Sequence, residues 1–112
     1  MSDLISPLEL RQRQNATGHA PTIIDVRGPS EFASGHVLGA LNIPLSQLAK
    51  KLKRIPSDRP VVTYCNMHHR GESRGERAAV LLRESGYQAA TIDGGYPAWQ
   101  EAGLPIEVTP RG

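Results

Sequence analysis

The sequence predicts an α/β fold: a three-layer arrangement with a central, mostly parallel β-sheet and helices on both faces. Short runs rich in β-branched residues, "TIIDV" (22–26), "PVVTY" (60–64) and "AATID" (89–93), recur along the chain. Helix-start signals and helical spacings separate them, and strands alternating with helices imply parallel strands joined by crossovers. The run at 60–64 is apolar without interruption, which suits a strand covered on both faces.

The elements follow in order. Ser6-Pro7-Leu8-Glu9 starts a helix, with Ser as cap, Pro in the first helical position and Glu three residues after the cap. That helix fades in the polar segment "QNATGHAP", and "TIIDV" is the first strand. "RGPSEFASGH" turns away from it, with a brief helix over Pro29 to Ser34 that faces Phe32 inward. "ALNIPL" (40–45) reads as a short strand; Leu45, Leu48 and Leu52 then share one helical face that ends before Pro56. After the strand at 60–64, Ala78, Ala79, Leu81 and Leu82 give a helix its apolar stripe, and Gly86 stops it. "AATID" is a strand, "PAWQEAG" a last short helix and "LPIEVTPRG" a Pro-rich tail.

Length and composition bound the function. At 112 residues the chain reads as one domain over 1–112. A single cysteine excludes an internal disulfide, a four-cysteine metal site and an internal resolving thiol. No apolar run approaches the ~20 residues that span a bilayer, and "MSDLISPLEL" lacks a secretory pattern, so the expectation is a cytoplasmic protein without a membrane partner. A net charge of +2 is too small to argue for nucleic acid, and "KKLKR" (50–54) reads as a solvated helix end.

Ligands of open α/β sheets bind at the carboxyl ends of the strands. Asp25, Arg27, Cys65 and Asp93 all fall at such ends. Cys65 is followed by a polar, cationic stretch, "NMHHRGE", and Ser73-Arg74-Gly75-Glu76 fits a capping box that starts a helix near Arg74. Residues 65–73 then form a loop between a strand end and a helix N-terminus. Backbone N–H groups and the positive helix end are aimed at whatever Cys65 holds, the setting in which reactive cysteines occur. His68, His69, Arg70 and Arg74 add cations and donors against Glu72 and Glu76. The candidate site is therefore Cys65 as nucleophile, with Asn66, Met67, His68, His69, Arg70, Gly71, Glu72, Ser73 and Arg74 as a cradle for an anion. Two adjacent histidines and one cysteine give no usual zinc spacing, so no metal is expected. The rival reading is an inert Cys65 plugging the core, because free cysteine is among the most buried residue types.

Three segments carry a resemblance. "IIDVRGPSEFASGHVLGALNIPL" (23–45), "VVTYC" with its loop and "RGERAAVLLRESGY", and "IDGGYPAWQEAGLP" (92–105) together resemble the rhodanese family of sulfurtransferases over nearly the whole chain. The resemblance implies a small α/β domain and a Cys65 that carries sulfur as a persulfide. It implies a thiosulfate sulfurtransferase: thiosulfate or a related anionic donor gives a sulfane sulfur, and cyanide or a thiol accepts it. Neither metal nor organic cofactor takes part, and a protein sulfur acceptor is a further partner that this reading allows. The family places an Arg after Cys and four residues, and two alignments compete for it. Arg70 satisfies the spacing directly, whereas counting back from "LLRESGY" selects Arg74 and makes the loop four residues longer. The Ser73 capping box favours the longer loop. A wider cradle also suits a cysteine phosphatase or arsenate reductase, and a sulfur-carrier module acting with a protein partner is the third reading. For Asp25 and Arg27, which could line the pocket mouth, the resemblance implies mainly a structural ion-pair and hydrogen-bond network; Glu31 and His36 read as parts of the turn after the first strand, and Tyr96 and Trp99 as core.

Overall fold

The computed structural model describes residues 3–16, 18, 20–66 and 73–109. Its elements are β1 (Leu4–Ile5), α1 (Pro7–Asn15), β2 (Thr22–Asp25), α2 (Pro29–Ser34), β3 (His36–Val37), β4 (Leu41–Asn42) and α3 (Leu45–Leu48). A 3-10 turn (Leu52–Arg54) follows, then β5 (Val61–Tyr64), α4 (Arg74–Glu84), β6 (Ala89–Ile92), α5 (Gly95–Glu101) and β7 (Ile106–Glu107). Five strands form one sheet in the order β1-β6-β5-β2-β4, and every neighbouring pair is parallel. β3 and β7 pair antiparallel in a separate two-stranded sheet.

Strand periodicity divides the core into two layers. Ile23, Val62, Tyr64, Ala90 and Ile92 project to one face, where Leu10 of α1 and Tyr96 and Trp99 of α5 cover them, with Phe32 of α2 at the margin. Ile24, Val61 and Ala89 project to the other, against Leu48 of α3 and Ala78, Ala79 and Leu82 of α4. The connections from β1 to β2 and from β2 to β4 run one way across the sheet and place their helices on the first face. Those from β4 to β5 and from β5 to β6 run back and use the second face. A uniform hand of crossover demands this division. Among the described residues no helix is long and apolar enough to cross a membrane.

The expected helices at 29–34 and beyond Ser73 are present, and the strands at 22–26, 60–64 and 89–93 are each one residue shorter. The strand expected over 40–45 is reduced to Leu41–Asn42, and two further expectations change. The Leu45, Leu48 and Leu52 stripe is not one helix: α3 stops at Leu48, and Leu52 lies in the 3-10 turn. An α-helix would leave the Leu52 carbonyl awaiting an N–H from Pro56, which has none; here it accepts from Ile55 N at 3.0 Å and from the Tyr87 hydroxyl at 3.2 Å. The tail is not merely irregular, since Ile106 and Glu107 pair with Val37 and His36.

Candidate active site

The site lies where the sheet changes direction. From β2 the chain moves outward to β4, whereas from β5 it moves the opposite way to β6, so the adjacent carboxyl ends of β2 and β5 flank a crevice. Such switch points are the ligand sites of open α/β sheets. Register pairs Asp25 with Tyr64 at the end of the two strands, which places Cys65 beside Val26. Val26 N donates to Tyr64 O at 3.1 Å, and the Cys65 carbonyl accepts from Tyr96 N at 2.9 Å. The backbone around the cysteine is therefore held from β2 on one side and α5 on the other.

The Cys65 side chain is 2% exposed and packs in the apolar layer beneath α4. Burial and position at a switch point coexist, so the plug reading describes its packing and leaves its chemistry open. α4 approaches closely because Gly75 has no side chain. A Cβ there would lie 2.7 Å from Thr91 Oγ1 and 3.2 Å from Tyr64 Cα. Thr63 Oγ1 donates to the Gly75 carbonyl at 2.6 Å, and Thr91 Oγ1 donates to Thr63 O at 2.8 Å. Two buried threonines thus seat the helix N-terminus against β5. Ser73 caps α4, accepting from Glu76 N at 3.1 Å. The Ser73 hydroxyl in turn donates to Glu76 Oε1 at 3.1 Å.

Asp25 and Arg27 support the crevice from below. Asp25 is 0% and Arg27 3% exposed. Arg27 Nε donates to both Asp25 oxygens at 2.9 Å, and Nη2 donates to Asp25 Oδ2 at 2.6 Å and to Gly35 O at 2.7 Å. Its guanidinium sits 4.4 Å from the Tyr96 ring centroid and 5.6 Å from that of Tyr64. Burial, and then the charge of Asp25, push the Tyr64 phenol well above its ordinary value. His36 is also structural: it is buried, stacks on Phe32 at 3.6 Å and places Nδ1 2.7 Å from Phe32 O.

Of the residues proposed from sequence, Cys65 and Asn66 directly follow β5, and Ser73 and Arg74 open α4. Met67, His68, His69, Arg70, Gly71 and Glu72 lie outside the described residues. Asn66 accepts from Arg27 Nη1 at 3.1 Å and donates to Glu31 Oε2 at 2.6 Å. Arg74 Nη1 lies 3.7 Å from Glu31 Oε1. Glu31 is the residue that sequence reasoning left as part of a turn. Its partner Asn66 is 35 positions away, so no local pattern signals the contact. Among the described residues no group of His, Cys, Asp or Glu converges as metal ligands do.

The rhodanese-like domain model matches residues 6–102. The chain belongs to the rhodanese-like domain family. It is 36% identical over 107 residues to a helix-turn-helix-type transcriptional regulator of Mycobacterium tuberculosis, an alignment covering 94% of this chain and 45% of the regulator. The chain thus spans about half the length of that relative. It is 37% identical to a sulfurtransferase of Allochromatium vinosum, covering 80% of each protein. Identity with the thiosulfate sulfurtransferase GlpE of Pseudomonas putida is 30%, covering 89% of this chain and 83% of GlpE. A rhodanese-related protein of Thermoplasma volcanium superposes with a TM-score of 0.81 at 27% identity, covering 95% of this chain and 98% of that one. Membership of the rhodanese-like family fits a cysteine at the end of β5, at the switch point of the sheet, with a capped helix packed over it.

Proposed function

We propose that this rhodanese-like chain is a sulfurtransferase that moves a sulfane sulfur from thiosulfate or a related anionic donor through a Cys65 persulfide. The observation that carries this reading is the position of Cys65, at the carboxyl end of β5 and at the switch point before the capped N-terminus of α4. The Cys65 thiolate attacks the outer sulfur of thiosulfate. A new S–S bond forms, the S–S bond of thiosulfate breaks, and sulfite leaves with the electron pair. Attack of an anion on a dianion needs donors and positive charge in place beforehand, and the α4 N-terminus and Arg74 are suited to provide them. Arg70, His68 and His69 belong to the same proposal as further cations of the cradle, with the backbone of 66–73 as donors. A thiophilic acceptor, cyanide or a thiol, then takes the outer sulfur and regenerates the thiolate.

The deciding experiment pairs a thiosulfate:cyanide assay with mass spectrometry of thiosulfate-treated protein. Thiocyanate should form, and a one-sulfur adduct should appear in the wild type and vanish in Cys65→Ala. Absence of both from the wild type would sink the proposal. A second reading, a sulfur carrier serving a protein partner, is favoured by the regulator relative, in which the matching region is under half of the protein. Weak turnover with thiosulfate that rises sharply with a protein donor or acceptor would select it.

A further inference from the structure

We propose that Glu31 is a positioning residue for the anion site, holding in place both Asn66, next to Cys65, and Arg74, at the start of α4. The proposal rests on the sulfurtransferase reading above and assigns a role to a residue outside the cysteine loop. One carboxylate reaches both residues. Oε2 accepts from the amide of Asn66, the residue next to Cys65, at 2.6 Å, and Oε1 lies 3.7 Å from Arg74 Nη1 at the first position of α4. Oε1 also accepts from Gly28 N at 3.3 Å, which fixes the carboxylate to the start of its own helix. The far oxygen of the Asn66 side chain accepts from Arg27, which is anchored in turn on Asp25. A continuous line of polar contacts therefore runs from the buried Asp25–Arg27 pair through Asn66 and Glu31 to Arg74 at the helix N-terminus.

The consequence concerns Arg74. An arginine carries several N–H donors in a rigid fork on a long flexible stem. Glu31 engages one edge of that fork and leaves the others for an anionic donor, so less ordering remains to be done when the donor arrives. A simple field argument predicts the reverse. Asp25, Arg27, Glu31 and Arg74 balance in charge, and removing the Glu31 carboxylate would leave an excess cation that attracts anions more strongly. The two arguments differ in sign, which makes the role of Glu31 measurable.

Glu31→Gln removes the carboxylate, and Glu31→Asp keeps the charge on a stem one methylene shorter. In each, Cys65 is alkylated with anionic iodoacetate and with neutral iodoacetamide, and the ratio of the two rates is compared with wild type. The neutral reagent corrects for any general loosening, and no sulfur donor is involved. The ratio should fall about threefold in both variants, the scale of a partly exposed ion pair. An unchanged or higher ratio in Glu31→Gln overturns the proposal, as does an Asp variant that behaves as wild type. In thiosulfate turnover, KM should rise by about the same factor while kcat holds, the mark of lost binding rather than lost chemistry; a fall in kcat at constant KM overturns it. A wild type that transfers no sulfur defeats the function proposed above, and the alkylation ratio then still decides what Glu31 does.

Discussion

Arg27 is charged, nearly sealed from solvent and bonded to a carboxylate that is sealed completely. Such a pair is not a large net source of stability, but losing one member strands the other. Asp25→Asn should therefore cost about 3–5 kcal/mol, read as a lower urea midpoint; an unchanged midpoint would show that the pair is not closed in solution. Tyr64 makes a separate, pH-dependent prediction. Its phenol is raised in the folded protein, by burial first and then by Asp25, whereas an unfolded tyrosine titrates near ~10. Its contribution is intact below pH ~10 and is lost as pH rises further, because the unfolded chain releases its proton first. Tyr64→Phe should flatten the alkaline decline in stability, while at neutral pH it costs about 1 kcal/mol through the lost bond from Val37 N to the phenol oxygen. An equally steep decline in the variant would contradict this. At this scale the sequence was partly legible. The resemblance carried by "DVR" marked Asp25 and Arg27 as a structural pair. Cys65 stood out through its place between a strand end and a capped helix together with the three resembling segments, not through being the only cysteine. Glu31 was hidden because its two partners belong to other elements, and only folding brings them together.

Among the elements, α4 bears most on the site, and its two ends differ in how readily they were foreseen. Its start at Arg74 follows from the Ser73 cap, a local device that sequence displays. Ser73→Ala should cost about 1 kcal/mol and slow sulfur transfer as the first turn frays; loss of stability without any change in rate would separate the cap from the chemistry. The depth at which α4 sits was not legible, since it depends on Gly75 meeting Thr91 and Tyr64 across the sheet. Alanine in an exposed helix interior improves on glycine by about 1 kcal/mol, yet Gly75→Ala should destabilise, because the added methyl would fall 2.7 Å from Thr91 Oγ1 and must push the helix outward. A raised melting temperature in this variant would show that the seat is looser than described. The stripe of Leu45, Leu48 and Leu52 misled for a related reason. Helical spacing records which face is apolar, but the missing N–H of Pro56 and the distant Tyr87 hydroxyl decide how the turn closes.

For the molecule as a whole, the alternation of strand and helix was enough to expect a parallel sheet covered on both faces. The strands that escaped notice, β1, β3 and β7, are two residues each, too short to carry a period. The order β1-β6-β5-β2-β4 sets β5 in the middle, paired on both sides. Native-state hydrogen exchange should accordingly be slowest in β5 and faster in the two-residue strands β4 and β7; a β7 amide as slow as Val62 N–H would refute that gradient. The same strand order constrains the chain as it leaves the ribosome. Within this domain β1 is synthesised before the other strands, yet its sheet partner is β6, nearly ninety positions later in the register Leu4 to Thr91. β1 consequently has no sheet to join until β6 has emerged. During translation the central strands can assemble first, and the earliest-made strand docks last, as the closing edge of the sheet.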